Sequence, residues 1–190
     1  MDIAKIFKSN TRKELFRLYF TNPDNEYYLR ELERILDIPV SMVRKELIHL
    51  EDTGIFVSSK KGNLVYYSLN KSYPLFEELK SIVFKTVGVH GLLKEALNKI
   101  KGVEAAFIYG SFAKKEEDAK SDIDLFIMGK IDDSRLAREI RRLEEILKRE
   151  INYSIFTRVE FKKRLKEKDS FIIDLLENPK IFIIGGHDDL

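Results

Sequence analysis

The feature that most constrains this 190-residue chain is a pair of aspartates at the start of an apolar strand. One strand-like apolar run ends at Gly110-Ser111, and Asp122, Ile123 and Asp124 lead directly into a second apolar run. Successive strand residues face opposite sides, so the two aspartates are expected on the same side, about 7 Å apart along the strand. Adjacent carboxylates repel each other unless a cation lies between them or their pKa values separate. The pattern therefore predicts a cation site.

Gly110 and Ser111 have the properties of an anion site beside these carboxylates. A glycine at a strand-to-helix turn lets the backbone approach a ligand closely, and the N–H groups of the following helical turn attract anions. A polar segment rich in Lys and Glu separates Ser111 from Asp122, and its length is about enough for a short helix and the loop that returns to a neighbouring strand. Mg²⁺ usually takes one or two protein carboxylates together with substrate phosphates. These residues are therefore predicted to hold a metal-bound triphosphate.

This motif resembles the signature of the polymerase-beta-like nucleotidyltransferase superfamily, in particular its minimal bacterial and archaeal members. The resemblance covers residues 88–185. It implies that nucleotide phosphates are bound by Gly110, Ser111 and Ser121. It also implies that Asp122 and Asp124 are the catalytic and metal-binding residues, that Mg²⁺ is the cofactor, and that ATP or another NTP is the ligand or substrate.

The third carboxylate of that family has no counterpart at the expected place. In the family it lies on a later strand, where it completes the metal site and helps to deprotonate the attacking hydroxyl. The next predicted strand, residues 151–156, has Asn152 or Ser154 near that position, and neither is a useful base. General-base help typically contributes about 10²–10⁴-fold. The sequence therefore favours nucleotide binding over transfer, and it leaves open whether the chain is an enzyme.

Composition narrows the cellular setting. The absence of cysteine excludes disulfides and thiolate metal ligands, and neither an apolar signal segment nor a bilayer-length apolar run is present, so we expect a cytoplasmic protein without membrane contact. Abundant Lys, Glu and Ile with no Gln is typical of a thermophile. The formal net charge of +2 is nearly neutral, so any field facing DNA must be a local patch.

The first part of the chain alternates helical patterns with a hairpin. Residues 11–14 resemble a capping box before a first helix, and two further helices are predicted at residues 28–36 and 40–52. Two strands, residues 55–59 and 64–69, then flank a basic turn. The inward stripe of the third helix is expected to consist of Val40, Val43, Leu47 and Leu50.

This order resembles a winged helix-turn-helix domain over residues 5–72, which implies a homodimer on double-stranded DNA. In such domains the second helix of the pair enters the major groove. The resemblance implies a set of DNA-contacting residues on that helix and on the hairpin: Ser41, Met42, Arg44, Lys45, His49, Lys60 and Lys61. Glu46 is expected to offset one of the helix cations. The alternative is that the same elements form a protein-interaction surface.

The predicted fold class is α+β, with a winged helix domain of three helices and a β-hairpin at residues 1–75. A helical connector at residues 76–101, a candidate dimer element, leads to a nucleotidyltransferase-like domain at residues 102–190. That domain is expected to be a small mixed sheet with helices on one side. Its last strand, residues 180–184, is continuously apolar and is expected to be buried on both faces.

Three functions follow from these readings. The first is a DNA-binding transcriptional regulator whose second domain binds Mg-nucleotide as a sensor or as a weakly active site. The second is an active nucleotidyltransferase that transfers NMP to a protein, an RNA or a small molecule. The third, implied only by the family resemblance, is an antitoxin-like protein that pairs with a small helical protein.

Overall fold

A computed structural model describes residue 7 and residues 9–114 and 121–190, so most of the polar segment between Ser111 and Asp122 lies outside the described residues. The chain divides into two compact units, residues 1–91 and 92–190. Helices and two small sheets make up the described part, which confirms the α+β fold class. None of the described helices combines the length and the hydropathy needed to cross a bilayer.

The first unit consists of helices around a three-stranded antiparallel sheet of strand order β1-β3-β2. Its elements are α1 (Asn10–Thr21), β1 (Tyr27–Tyr28), α2 (Leu29–Leu36), α3 (Val40–Asp52), β2 (Phe56–Lys61), β3 (Leu64–Leu69) and α4 (Phe76–Thr86). Helix α5 (Val89–Leu97) begins in this unit and ends in the next.

Two local predictions for the first unit are wrong. Helix α1 is capped by Ser9, whose hydroxyl accepts a hydrogen bond from the Arg12 amide, whereas Thr11 lies buried inside the helix. Strand β1 was missed because Tyr28 continues the apolar spacing of α2. Tyr27 pairs with Tyr67 of β3, so a contact that is distant in sequence decides the conformation there.

Buried polar contacts join α1 to the rest of the first unit. The Tyr19 hydroxyl donates to the Tyr67 carbonyl at 3.0 Å. Arg17, which is only 7 % exposed, donates through Nε to the Val87 carbonyl at 2.8 Å and pairs with Glu14 at 2.5 Å. Because a buried guanidinium is stable only when it is paired, these bonds fix the segment after α4 against α1.

The second unit is built on a four-stranded sheet of order β6-β5-β4-β7. Its elements are β4 (Val103–Tyr109), α6 (Gly110–Lys114), β5 (Ile123–Gly129), α7 (Asp133–Leu147), β6 (Ile151–Phe156), α8 (Arg158–Lys166), α9 (Ser170–Glu177), β7 (Ile181–Ile184) and a final 3₁₀ turn (His187–Asp189). Strands β5 and β6 are parallel, whereas β4 runs antiparallel to both β5 and β7.

Both faces of this sheet are covered. On one face, Phe107 and Phe126 pack in a cluster with Phe161 of α8 and with residues of α9. On the other face, Ile108 and Leu125 are equally inaccessible to solvent, so the prediction of helices on one side is wrong. The prediction that the last strand is buried on both faces is also wrong. Strand β7 lies at the edge of the sheet, and within it only Ile183 is buried.

Candidate functional site

The two aspartates lie at the end of the sheet where β4, β5 and β6 meet. Asp124 is paired with Tyr109 of β4 on one side and with Asn152 of β6 on the other. Directly paired residues share a face of the sheet, so these three side chains project toward the face covered by α8 and α9. Asp122 precedes β5, and its Oδ2 accepts a hydrogen bond from Asn152 Nδ2 at 3.2 Å.

The glycine of the Gly-Ser turn lies against one of the carboxylates. Gly110 has a φ of +71°, a left-handed conformation that favours glycine. A Cβ atom at this position would lie 2.3 Å from Asp124 Oδ2, which is closer than atoms can approach. The turn and the Asp124 carboxylate are thus in direct contact. Ser111 in α6 and Ser121 before Asp122, the other predicted phosphate-binding residues, are both half-buried.

The electrostatics of the pair fit a cation. Burial raises the pKa of Asp124 above its ordinary value of 3.8, and the neighbouring Asp122 carboxylate raises that pKa further. Both effects disfavour the charged form of Asp124, and a divalent ion between the carboxylates would reverse the second effect. The prediction that the two carboxylates interact is therefore supported by the direction of this pKa shift.

Tyr109 and Ser154 border the site, and sequence reasoning did not assign a role to this pair. Burial raises the pKa of the Tyr109 hydroxyl, while its hydrogen bond with Ser154 acts in the opposite direction. The Tyr109 ring packs edge-on against Phe171 of α9, with ring centroids 5.9 Å apart. The only sequence signal is the position of Tyr109 directly before Gly110, because the pairing with Asp124 depends on the strand register.

Among the described residues, the candidate metal ligands at this site are the carboxylates of Asp122 and Asp124. Within residues 7, 9–114 and 121–190, no cluster of three or more acidic or histidine side chains is arranged to hold an ion. An amide, Asn152, occupies the place beside Asp122, as the sequence led us to expect. Two carboxylates suit one Mg²⁺ whose remaining ligands are phosphates and water.

A first test of this geometry is Gly110→Ala. We expect a loss of Mg-nucleotide binding of tenfold or more, because a Cβ would displace the Asp124 carboxylate and the left-handed conformation would be strained. Nucleotide titration by calorimetry in the presence of Mg²⁺ measures the effect. Gly186→Ala is the matched control, because a Cβ there meets no atom within 4 Å. Unchanged affinity of the Gly110 variant would contradict the contact.

The predicted DNA-facing side of α3 is exposed. The inward stripe of this helix is buried at Val43, Leu47 and Leu50, as predicted, whereas Val40 is only half-buried. The predicted contact residues on the outer side are all exposed: Ser41, Met42, Arg44, Lys45 and His49. The expectation that Glu46 offsets a helix cation is not supported, because the Glu46 carboxylate pairs with Arg12 at 2.6 Å.

The hairpin differs from the prediction in the position of its lysines. Lys60 and Lys61 lie on β2, and the turn itself consists of Gly62 and Asn63. Lys61 forms an ion pair with Glu26, and its Nζ lies 5.3 Å from the centroid of the Tyr66 ring. The two lysines therefore form a basic end of β2 and not a basic turn. Lys61 already has partners there, and Lys60 is exposed.

The mixed sheet, the glycine turn and the adjacent aspartates define the second unit as a nucleotidyltransferase-like domain. Residues 91–182 match the family model described as "Polymerase beta, Nucleotidyltransferase". This match spans just under half of the chain and includes every residue of the carboxylate site named above. The family resemblance inferred from the motif is thus confirmed for this part of the chain.

Comparison with solved structures gives weaker similarities. Reduced HlyU from Vibrio cholerae N16961 is 22% identical over 43% of this chain and 77% of that chain, with a TM-score of 0.32. A chain from a crystal structure of a toxin-antitoxin with AMP-PNP is 13% identical over 53% of this chain and 76% of that chain, with a TM-score of 0.38. Scores this low support no functional argument. A comparison with curated proteins finds no match.

Proposed function

We propose that this protein is a DNA-binding transcriptional regulator whose nucleotidyltransferase-like unit binds Mg-nucleotide as a sensor. The single observation that carries the nucleotide part is the contact of Gly110 with Asp124 beside the Asp122–Asn152 hydrogen bond. It joins a backbone turn suited to phosphates with two carboxylates suited to a divalent ion. Asp122 and Asp124 would hold Mg²⁺, which would neutralise phosphate charge when bound.

The residue beside the carboxylates supports binding more than transfer. Asn152 donates a hydrogen bond to Asp122, and an amide cannot accept the proton of an attacking hydroxyl. The amide instead holds Asp122 in place without adding a third negative charge. A site of this composition suits reversible occupancy by nucleotide, which is what a sensor requires.

The DNA part of the proposal rests on the first unit. A helix pair, α2 and α3, is followed by the β2–β3 hairpin, an order that supports a winged helix-turn-helix assignment. The outer side of α3 presents Arg44, Lys45 and His49 to solvent. Because the Glu46 carboxylate is paired with Arg12, it does not neutralise Arg44 or Lys45, and both side chains are available for phosphate or base contacts.

Removing the α3 cations tests the DNA interface. We expect Arg44→Ala with Lys45→Ala to weaken duplex DNA binding by about tenfold or more, and to lower the slope of log affinity against log salt by about 2. Fluorescence anisotropy with a labelled duplex at several salt concentrations measures both quantities. Lys71→Ala with Lys85→Ala is the matched control, since it removes two exposed cations from the same unit. Equal losses in the two variants would assign the effect to net charge alone.

The sensor itself is tested by DNA affinity with and without saturating Mg-nucleotide. A shift in affinity that disappears in Asp124→Asn supports the proposal, because a ligand couples two sites only if it changes an equilibrium between states. If nucleotide binds and leaves DNA affinity unchanged, the two units do not communicate and the sensor role is lost.

The match to a nucleotidyltransferase family favours a second candidate, an active transferase that the first unit recruits to its acceptor. In that case the purified protein with Mg²⁺ and α-labelled NTPs transfers label to a component of a cell lysate. Asp122→Asn and Asp124→Asn would each abolish the labelling. Absence of label with all four NTPs would leave the binding proposal alone.

A further inference from the structure

A basic helix face lies on the nucleotidyltransferase-like unit, apart from its carboxylate site. Between residues 158 and 168 the chain has six basic and two acidic residues, whereas residues 92–190 as a whole contain twenty of each. The excess positive charge of this segment is therefore local. Within α8, the side chains of Val159, Lys162, Lys163 and Lys166 recur at helical spacing and are all exposed. These four residues are called the lysine face below.

The opposite side of α8 is fixed to the sheet. Phe161 is buried and packs edge-on against Phe126, with ring centroids 5.8 Å apart. Arg164 lies over the Phe156 ring at 4.8 Å. Since these contacts orient the helix, the lysine face is held toward solvent as a rigid surface.

The nearby acidic residues neutralise little of this charge. The Glu160 carboxylate accepts hydrogen bonds from the Thr157 amide and hydroxyl, at 2.8 Å and 2.7 Å, and so is used to cap the helix. Glu167 lies 4.0 Å from Lys163, at the limit of an ion pair. Among the described residues, neither Lys162 nor Lys166 forms an ion pair.

We infer that the lysine face binds the phosphate backbone of single-stranded RNA. Lysine ammonium groups act as point charges for phosphates, whereas lysine is depleted at protein–protein interfaces. The exposed apolar side chains of α8 are Val159, at 77 %, and Leu165, at 40 % on another side of the helix, too few to anchor it in a lipid surface. Charge without an apolar patch therefore favours a polyphosphate over a protein or a membrane.

The length of the lysine face favours one strand over a duplex. The three lysines lie within four residues of helix, about 6 Å along its axis, which matches neighbouring phosphates of one strand but not both backbones across a groove about 12 Å wide. Single strands in cells are chiefly RNA.

The test is RNA binding by the full chain with Lys162, Lys163 and Lys166 replaced by alanine. With a labelled 20-nucleotide single-stranded RNA of mixed sequence, we expect the wild-type protein to bind and the triple variant to lose tenfold or more in affinity. The salt slope should fall by about 2, as expected for three lost single-strand phosphate contacts. The matched control removes three exposed arginines from another helix, by changing Arg135, Arg138 and Arg142 to alanine, and should bind as the wild type does.

Three results would overturn the assignment: no RNA binding by the wild type at low salt, equal losses in the lysine and arginine variants, or tighter binding of a duplex RNA of the same length. Lysine-to-glutamine changes at the same three positions repeat the test if the alanine variant unfolds. The α3 variant and Asp124→Asn should both retain RNA binding. Failure of this inference is therefore distinguishable from failure of the proposed regulator function.

Discussion

Asn152→Asp is expected to increase nucleotidyl transfer by about 10²–10⁴-fold, the usual contribution of a general base. A carboxylate at this position would lie beside Asp122, since Asn152 Nδ2 is 3.2 Å from Asp122 Oδ2, and opposite Asp124 in the strand register. It would add the missing proton acceptor and a third oxygen ligand. The measurement is the rate at which α-labelled NTP transfers label to components of a cell lysate.

The same substitution should lower the stability of the Mg²⁺-free protein, because three carboxylates would then repel one another. Added Mg²⁺ should restore the melting temperature in the variant more than in the wild type. Asn98→Asp is the matched control, an exposed position in the same unit, and should change neither property. Asn152→Ala removes the amide without adding a carboxylate, so comparing it with Asn152→Asp separates the effects of these two changes. A variant that gains no labelling and binds Mg²⁺ no better would contradict the assignment of position 152.

Asp124→Asn is expected to weaken Mg-nucleotide binding by 100-fold or more and yet leave the ligand-free protein as stable as the wild type, or more so. The raised pKa of Asp124 means that the native state binds its proton more tightly than the unfolded chain does. The charged carboxylate therefore costs stability, and this cost develops as the pH rises from 3.8 through the raised pKa. Calorimetric titration and thermal unfolding measure the two effects.

Mg-nucleotide binding should depend on pH in the opposite direction to the stability of the ligand-free protein. As the pH falls through the raised pKa, Asp124 becomes protonated and Mg-nucleotide affinity should decrease at a higher pH than for an ordinary aspartate. Asp188→Asn, an exposed aspartate of the same unit, is the matched control and should preserve binding. If that variant loses as much affinity as Asp124→Asn, the loss reflects general charge and the site assignment is wrong.

The candidate site was predictable where it depends on local spacing. Gly110 and the Asp122–Asp124 pair were located from an apolar strand pattern, the turn that ends it, and the alternation of successive strand side chains between two faces. All three are short-range features. The chain order of the strands was enough to place Asn152 near the aspartates. The hydrogen bond between Asn152 and Asp122 was not predictable, because it depends on the register of two parallel strands that are distant in sequence.

The fold errors have a common physical origin. Tyr27 and Tyr28 become a strand through pairing with β3, a contact that no local pattern encodes. The burial of both sheet faces does have a sequence signal, since residues 105–108 of β4 and 125–128 of β5 are continuously apolar, as is typical of strands buried on both sides. That signal was applied to β7, where the strand lies at a sheet edge and the rule does not hold.

The amide beside Asp122 also has a genetic consequence. The codons of asparagine and aspartate differ by one base, so a single point mutation at position 152 would supply the carboxylate that the site lacks. Under the proposed function, that one base change would convert a nucleotide-binding form into a group-transferring form without any other change in the second unit.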